Sequence, residues 1–311
     1  MAHDKTMIKE VLNERDGFQV WWRLLRPHTL TASFIPVFVG TVFAYVEQET
    51  FHLLLFLAML LASILIQAAT NMFNEYYDFV RGLDNEKSVG IGGTIVRDGV
   101  QPKTVLRLAF TFYGIAFILG MYICYASSWW IALIGAVSMV IGYLYTGGPV
   151  PIAYTPFGEL FAGGLMGTVM IAISYFIQAG TITKEMIFVS LPVAILIGAI
   201  LMANNIRDLD NDKISGRKTL AILLGRKGAI TMQAFFFLSA YVITMLLIIV
   251  GTLPIWSLIV LLSVPKAVQV IRGFAEHTTP LEMMPAMANT GKTNTMYGFL
   301  LGISILISIF M

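Results

Sequence analysis

The chain has few charged residues for its length. Asp, Glu, Lys and Arg together make up 12% of its 311 residues, whereas about a quarter is usual in soluble domains. Hydrophobic residues make up 57% of the chain, and the mean hydropathy is +0.79. This composition excludes an ordinary soluble domain and predicts an integral membrane protein.

Cysteine is nearly absent as well, since Cys124 is the single one in the chain. One cysteine excludes an internal disulfide and a cysteine-based metal site, and its position in an apolar run is typical of a small core residue. The first 27 residues carry charges of both signs and no early apolar core. We therefore expect no cleavable signal peptide.

The chain instead contains long apolar runs, most of them about the length that crosses a bilayer as a helix. They predict an all-α integral membrane protein, in which a bundle of about nine transmembrane helices surrounds a central cavity. Residues 1–27 are expected to form a cytoplasmic N-terminal segment and residues 28–311 a single polytopic domain. The apolar runs are 28–47, 51–73, 106–126, 128–146, 157–179, 186–206, 228–250, 254–272 and 294–311.

Basic residues lie almost entirely on one side of this arrangement. All but one of the 20 Lys and Arg fall on the side of the N-terminus or at the helix ends nearest to it, and the exception is Lys184. Cytoplasmic loops of membrane proteins are rich in Lys and Arg, so the N-terminus is predicted inside and the C-terminus outside. The cavity then opens toward the cytoplasmic face of the cell membrane, with active-site loops near 74–105 and 207–227.

Two similar polar motifs continue two of these helices, and the predicted topology puts both on the cytoplasmic side. The first is NEYYDFVRGLD at residues 74–84, and the second is NNIRDLDNDK at residues 204–213. Residues four apart share one face of a helix, so the Asn and the Asp of each motif point the same way. Carboxylates at the edge of the hydrocarbon layer are costly and usually functional. The plainer alternative is helix capping with solvated interfacial charge.

Two facing acidic motifs would suit Mg²⁺, which takes a few protein oxygens and completes its octahedron with water and phosphate oxygens. A magnesium ion held in this way would bind a diphosphate and stabilise it as a leaving group. The predicted catalytic and metal-binding residues are Asn74, Asp78, Asp84, Asn204, Asp208 and Asp212.

Basic and aromatic residues around the motifs are candidate substrate contacts. Cationic side chains would neutralise a diphosphate, the glycine-rich stretch 90–94 could offer it backbone N–H groups, and an aromatic face could stabilise an allylic cation. Each has a plainer explanation, because cytoplasmic loops are basic in any case and interfacial tyrosines often simply pack. The predicted substrate-binding residues are Arg26, Lys87, Arg97, Tyr145, Arg207 and Lys218, and the same loops carry Lys103, Lys213 and Arg217.

Several stretches together resemble the UbiA superfamily of intramembrane aromatic prenyltransferases, whose members carry two Asp-rich motifs on a helical bundle. The resemblance covers nearly the whole chain from Leu24 onward. Within the superfamily the stretches are similar to the menaquinone branch, which prenylates 1,4-dihydroxy-2-naphthoate. They are RPHTLTAS at 26–33, NEYYD at 74–78 with RGLD at 81–84, GIGGTIVR at 90–97, YLYTGGP at 143–149 with YTPFGE at 154–159, and NNIRD at 204–208 with GRKTL at 216–220.

The resemblance implies transfer of a polyprenyl chain from its diphosphate to 1,4-dihydroxy-2-naphthoate, with Mg²⁺ as cofactor and release of diphosphate and CO₂, giving demethylmenaquinone. It implies metal–diphosphate roles for the four motif aspartates, and a role for Arg97 and Tyr145 in holding the diphosphate or the aromatic acceptor. Two departures from the family pattern leave the number of metals open. Glu75 replaces a common Asp, and five residues instead of three separate Asp78 from Asp84.

Other acceptors of the same superfamily chemistry remain open, namely 4-hydroxybenzoate, homogentisate, haem and a chlorophyllide. An ion-coupled transporter is a more distant alternative, because its intramembrane charges would more often lie near the midplane on broken helices. A non-catalytic lipid-binding scaffold would need no paired acidic motifs. The expected partners are thus a polyprenyl diphosphate, the aromatic acceptor and membrane lipid. No nucleic-acid partner is expected, and the sequence indicates no obligate protein partner.

Overall fold

The computed structural model describes residues 17–83 and 93–310, and all regular structure in these ranges is helical. A short helix, α1 (Phe18–Leu24), precedes nine long helices in this part of the chain. They are α2 (Thr31–Gln48), α3 (Leu53–Val80), α4 (Pro102–Ala126), α5 (Trp130–Thr146), α6 (Gly158–Ala179), α7 (Lys184–Ile214), α8 (Leu220–Ile249), α9 (Ile255–Glu276) and α10 (Pro280–Ile307).

The long helices follow the predicted apolar runs in number and order. Six of those in the described ranges, namely α3, α4, α6, α7, α8 and α9, are long and apolar enough to cross a membrane, and α5 is a shorter apolar helix. The prediction of an all-helical membrane protein is therefore confirmed, with six strong candidate spans. Crossing by all nine helices, and their orientation, stay predictions.

The second polar motif lies wholly within α7, and the first lies within α3 as far as Val80. The apolar runs end at residues 73 and 206, but α3 continues as far as Val80 and α7 as far as Ile214. Each of these two helices therefore carries an apolar stretch and a charged stretch in one rigid body. The motif side chains from Asn74 to Val80 and from Asn204 to Lys213 are held by helix backbone.

The last helix begins earlier than the sequence predicts. Its apolar run starts at residue 294, but α10 begins at Pro280, where Thr279 and Glu282 form a capping box. Helix α10 also makes polar contacts inside the bundle. The buried Asn294 amide, for example, donates to Thr31 Oγ1 of α2 at 2.9 Å. The stretch between the last two apolar runs is thus mostly helix rather than loop.

Helices α6 and α7 approach each other through glycine. A Cβ atom added at Gly163 would lie 2.5 Å from the carbonyl oxygen of Ala194, and one at Gly167 would overlap the Ala194 backbone. Both glycines lie in a π-helical segment of α6, Ala162–Val169, which contributes to the wall of the central cavity. Close approach of small residues is a main source of helix association in lipid, where the hydrophobic effect gives little.

The glycine contact can be tested against a matched control on the same helix. We expect Gly167→Ala to lower the free energy of unfolding by about 1–3 kcal/mol, because the new methyl group overpacks the α6–α7 contact. Gly164→Ala is the control, since a Cβ there would meet no atom within 4 Å and alanine favours the helix by about 1 kcal/mol. Thermal unfolding in detergent measures both, and equal stability of the two variants would contradict the close contact.

Candidate active site

A cavity of about 420 Å³ lies among α3, α4, α5, α6 and α7. It follows α3 from Met59, near the start of the helix, to Asp78, near its end, which is roughly 28 Å at 1.5 Å per residue. The cavity is therefore a long, narrow channel with a polar end at the two motifs. Its remaining wall is largely apolar and includes Ala116, Ile123, Ile131, Leu165 and Ile173.

The charges of the cavity wall nearly balance. Four arginines and three aspartates are the charged side chains that line it within the described ranges, so the wall has a formal charge of +1 when all seven are ionised. Such an end can accept a divalent cation and a diphosphate together without a large excess of either sign. The seven residues are Arg26, Arg97, Arg207, Arg217, Asp78, Asp208 and Asp212.

Arg217 joins the two motifs. Its guanidinium donates to Asp78 Oδ1 of α3 at 2.8 Å and lies 3.0 Å from Asp212 Oδ1 of α7. Asn74 donates to the other oxygen of the Asp78 carboxylate at 3.0 Å, and the ring of Tyr154 lies 4.8 Å from the guanidinium carbon. Burial alone would lower the pKa of Arg217, but the two carboxylates more than offset this and hold the pKa above its ordinary value.

A helix-ending turn places Arg217 at this position. Helix α7 ends at Ile214 with Ser215 as its C-cap, and Gly216 follows with φ of 75°, a conformation that glycine adopts without strain. The Gly216 N–H donates to the carbonyl of Lys213 and the Arg217 N–H to that of Asp212. This pair of bonds is the Schellman motif, and it turns the chain back so that Arg217 faces its own helix.

Asp208 has its own cation. Arg207 donates to it through both Nε, at 2.7 Å, and Nη2, and its Nη1 lies 2.7 Å from Met287 Sδ of α10. The Arg207 side chain is 7% exposed and that of Asp208 31% exposed. The carboxylate is thus the more accessible of the two groups, and the guanidinium also reaches α10.

Glu75 holds residues 93–95 against α3. Its buried carboxylate accepts hydrogen bonds from the backbone N–H groups of Gly93 and Ile95, at 3.1 and 3.2 Å, and lies 3.6 Å from Arg26. The guanidinium of Arg97 packs where a Cβ of Gly93 would otherwise lie. The glutamate that departs from the family pattern therefore positions a loop that lines the cavity.

Nine of the twelve predicted site residues line the cavity, and their roles stay predictions. Lys218 differs, because its side chain is exposed and outside the cavity wall, and its backbone N–H donates to Tyr154. Asp84 and Lys87 lie outside the described residues. The nine are Asn74, Asp78, Asn204, Asp208, Asp212, Arg26, Arg97, Tyr145 and Arg207.

A preformed acidic metal cluster is not found in the described ranges. No three His, Cys, Asp or Glu side chains there come close enough together to hold a metal ion. The predicted aspartates instead face guanidinium groups, Asp78 and Asp212 that of Arg217 and Asp208 that of Arg207. Positive charge therefore already occupies the places where carboxylate oxygens from the two motifs converge.

The sequence does not predict the roles of Arg217 and Glu75, the cation and the carboxylate that organise the site. In the sequence Arg217 is one of several loop cations. The signal that distinguishes it is the glycine immediately before it, which marks the end of α7. Glu75 stood out from the family pattern, but its partners are backbone groups some 20 residues away, and sequence spacing does not reveal such a contact.

Most of the chain matches the model of a known protein family. Residues 33–303 match the model of the UbiA prenyltransferase family. The chain belongs to this family. It is 59% identical over 294 residues to 1,4-dihydroxy-2-naphthoate octaprenyltransferase of Bacillus subtilis (strain 168), with 94% of each chain covered. It is 27% identical over 295 residues to the protein of the same name from Escherichia coli (strain K12), which covers 92% of this chain and 95% of the relative.

Solved structures of UbiA homologues share the fold. The apo structure of a homologue from Aeropyrum pernix K1 has a TM-score of 0.67 at 16% identity, and the match covers 91% of this chain and 98% of the homologue. A homologue from Archaeoglobus fulgidus bound to DMAPP and Mg²⁺ has a TM-score of 0.60 at 14% identity, and the match covers 92% of this chain and 99% of the homologue. At these identities the likeness establishes the helical UbiA-type fold.

The Arg217 bridge predicts a charge-dependent stability. Arg217→Gln would leave two nearly buried carboxylates facing each other, and breaking such a buried pair costs about 3–5 kcal/mol. We expect a lower unfolding temperature in detergent, with partial recovery on addition of Mg²⁺, which restores positive charge between the motifs. Lys213→Gln, on an exposed side chain of the same helix end, is the control. Identical unfolding of the two variants, with or without Mg²⁺, would rule out a bridging role.

Proposed function

We propose that this protein transfers a polyprenyl chain from polyprenyl diphosphate to 1,4-dihydroxy-2-naphthoate, releasing diphosphate and CO₂ and giving demethylmenaquinone in its quinol form. The observation that carries the proposal is the single cavity in which both motifs meet at a charged end and a long apolar channel begins. The identity of 59% to the Bacillus subtilis naphthoate octaprenyltransferase supports the choice of acceptor.

The two parts of the cavity suit the two parts of a prenyl diphosphate. The charged end carries four guanidinium groups, and charge-assisted hydrogen bonds from guanidinium to phosphate are strong and often bidentate. The apolar channel, roughly 28 Å along α3, suits a hydrocarbon chain. Its apolar wall also keeps water from an allylic cation formed at the junction.

Mg²⁺ fits the donor set of the two motifs. The carboxylates of Asp78 and Asp212 already reach one common cation, the Arg217 guanidinium, at 2.8 and 3.0 Å. The ion would stabilise the negative charge that develops on the departing diphosphate. The described residues that would hold it are Asn74, Asp78, Asn204, Asp208 and Asp212, and Asp84 is proposed with them from the sequence alone.

The arginines then neutralise the leaving group. In the absence of substrate Arg207 and Arg217 donate to carboxylates, and a diphosphate offers the same groups a more strongly charged acceptor. As the C–O bond to diphosphate breaks, the ring attacks the allylic carbon and a new C–C bond forms. Loss of CO₂ from the ring restores its aromaticity, so no external oxidant, reductant or net proton is required.

All nine long helices are proposed to cross the cell membrane, with the N-terminus and the charged end of the cavity on the cytoplasmic side. The strong asymmetry of Lys and Arg supports this orientation. Residues 28–311 would then form one polytopic domain in contact with lipid, and residues 1–27 a cytoplasmic segment. The apolar side chains that α4 and α8 expose, such as Ile118 and Leu238, suit a lipid-facing surface.

The reaction can be tested with purified protein in nanodiscs. Mixed with 1,4-dihydroxy-2-naphthoate, a long prenyl diphosphate and Mg²⁺, it should yield the prenylated, decarboxylated product by mass spectrometry, and chelation of the metal should stop turnover. Asp78→Asn and Asp208→Asn should each reduce the rate about 100-fold or more, because charge stabilisation of the leaving group is lost.

The control for the aspartate variants is Asp210→Asn. Asp210 belongs to the same motif, but its side chain is 73% exposed, pairs with Arg226 and lies outside the cavity wall, so the variant should keep its activity. Product with 4-hydroxybenzoate but none with the naphthoate would overturn the acceptor assignment and keep the mechanism. Absence of product with any acceptor from folded protein would refute the proposed activity.

The orientation can be tested by cysteine labelling, because Cys124 is the single native cysteine. In a Cys124→Ser background, a membrane-impermeant maleimide should label Lys184→Cys in intact cells and Lys213→Cys only after permeabilisation. Both lysines are exposed, so access depends on the side of the membrane. The reverse labelling pattern would invert the proposed topology.

A further inference from the structure

A second polar group lies in the cavity wall below the charged end. Gln67 and Asn71 on α3 and Thr29 before α2 all line the cavity, and each is less than one-tenth exposed. Gln67 lies seven residues before Asn74, so both occupy the same helix face, roughly 10 Å apart along the axis. Polar side chains at such a depth are costly and call for a functional explanation.

The hydrogen bonds of this group have only one possible direction. The Asn71 side-chain nitrogen donates to the carbonyl of Leu25 at 2.8 Å and to Thr29 Oγ1 at 2.9 Å. A backbone carbonyl can accept but not donate, so the amide of Asn71 cannot be flipped. Thr29 Oγ1 in turn donates its proton to the carbonyl of Arg26 at 2.9 Å, and it therefore acts only as an acceptor toward the amides.

These constraints fix the orientation of Gln67 as well. Its side-chain nitrogen lies 3.4 Å from both Asn71 Oδ1 and Thr29 Oγ1, and both of these atoms must accept. The carbonyl oxygen Oε1 is therefore at the opposite end of the amide, and no side chain or backbone group in the described ranges donates to it. Since Gln67 lines the cavity, the network ends in one unused hydrogen-bond acceptor at the channel wall.

The presence of a buried amide at position 67 is not explained by a role in joining helices. The two short bonds of Asn71 already join α3 to the turn before α2, whereas the two bonds of Gln67 are long and add little. A Leu or Met at this position would fill the space without the cost of burying an amide. The Oε1 atom, to which no described residue donates, is thus free to accept a hydrogen bond from a ligand in the cavity.

We propose that Gln67 Oε1 accepts a hydrogen bond from a ring hydroxyl of the aromatic acceptor and so sets the position of the ring in the channel. This inference rests on the proposed function. A hydrocarbon chain has no donor and a diphosphate offers acceptors, so among the substrates the hydroxylated ring is the partner that fits. In 1,4-dihydroxy-2-naphthoate the 1-hydroxyl can bond internally to the adjacent carboxylate, which leaves the 4-hydroxyl as the donor to Gln67.

The test measures ligand binding and not turnover. Equilibrium dialysis of the purified protein, without prenyl diphosphate, compares 1,4-dihydroxy-2-naphthoate with 1-hydroxy-2-naphthoate, which lacks the 4-hydroxyl. Wild type should bind the dihydroxy ligand about 5- to 10-fold more tightly, the effect of one hydrogen bond in a dry site. Gln67→Met should lose this preference, whereas Gln67→Glu, which keeps acceptor oxygens, should retain it.

The matched control is Thr70→Val, one turn further along α3. Thr70 also lines the cavity, but its hydroxyl bonds to the carbonyl of Ile66 in its own helix, so the variant should keep the wild-type preference. A purely structural role of Gln67 would affect Met and Glu variants alike, because a carboxylate cannot donate to Asn71 or Thr29. Equal preference in wild type and Gln67→Met would overturn the inference.

Failure of the proposed function would look different. If the wild type bound neither naphthoate but prenylated another aromatic acceptor, the acceptor assignment would be wrong. The role of Gln67 would then be decided by the same ratio for 4-hydroxybenzoate against benzoate. A ratio that Gln67→Met leaves unchanged would overturn it there too, and a ratio that falls to one would support it.

Discussion

The active site depends on one cation placed between two helices. Asp78 lies near the end of α3 and Asp212 near the end of α7, and two carboxylates brought together in a buried site repel each other strongly in the low dielectric. Arg217 removes this repulsion with one guanidinium, at 2.8 and 3.0 Å from the two groups. The glycine turn at the end of α7 supplies that cation from the chain segment directly after the second motif.

The other carboxylates of the site are likewise paired with donors. Arg207 faces Asp208, and Arg26 and the backbone of the glycine-rich segment satisfy Glu75. Each buried carboxylate thus has a partner, which is the condition under which buried charge is tolerated. The result is a polar end with little net charge joined to an apolar channel. A substrate with an anionic head and a hydrocarbon tail can enter such a cavity with both parts matched.

Much of this arrangement is readable in the sequence, because it follows from hydropathy and helical spacing. The apolar runs predict the helices in order, and the Asn–Asp spacing predicts the face of α3 and α7 that lines the cavity. The features that the sequence does not predict depend on contacts between residues that are distant in the chain. Thr29 and Asn71, for example, are 42 residues apart. The 4–3–4 spacing of Gln67, Asn71, Asn74 and Asp78 is present in the sequence, although the predicted motif begins only at Asn74.

That spacing gives α3 a second role. Gln67, Asn71, Asn74 and Asp78 all line the cavity. In the proposed mechanism one rigid helix would thus present groups for the diphosphate and, two turns away, an acceptor for the ring hydroxyl. A helix fixes the distance between such groups, roughly 10 Å from Gln67 to Asn74 along the axis. Reaction between two substrates gains most when their reacting atoms are held at a fixed separation. Polar groups on one helix provide this more exactly than groups on separate loops, since no hinge lies between them.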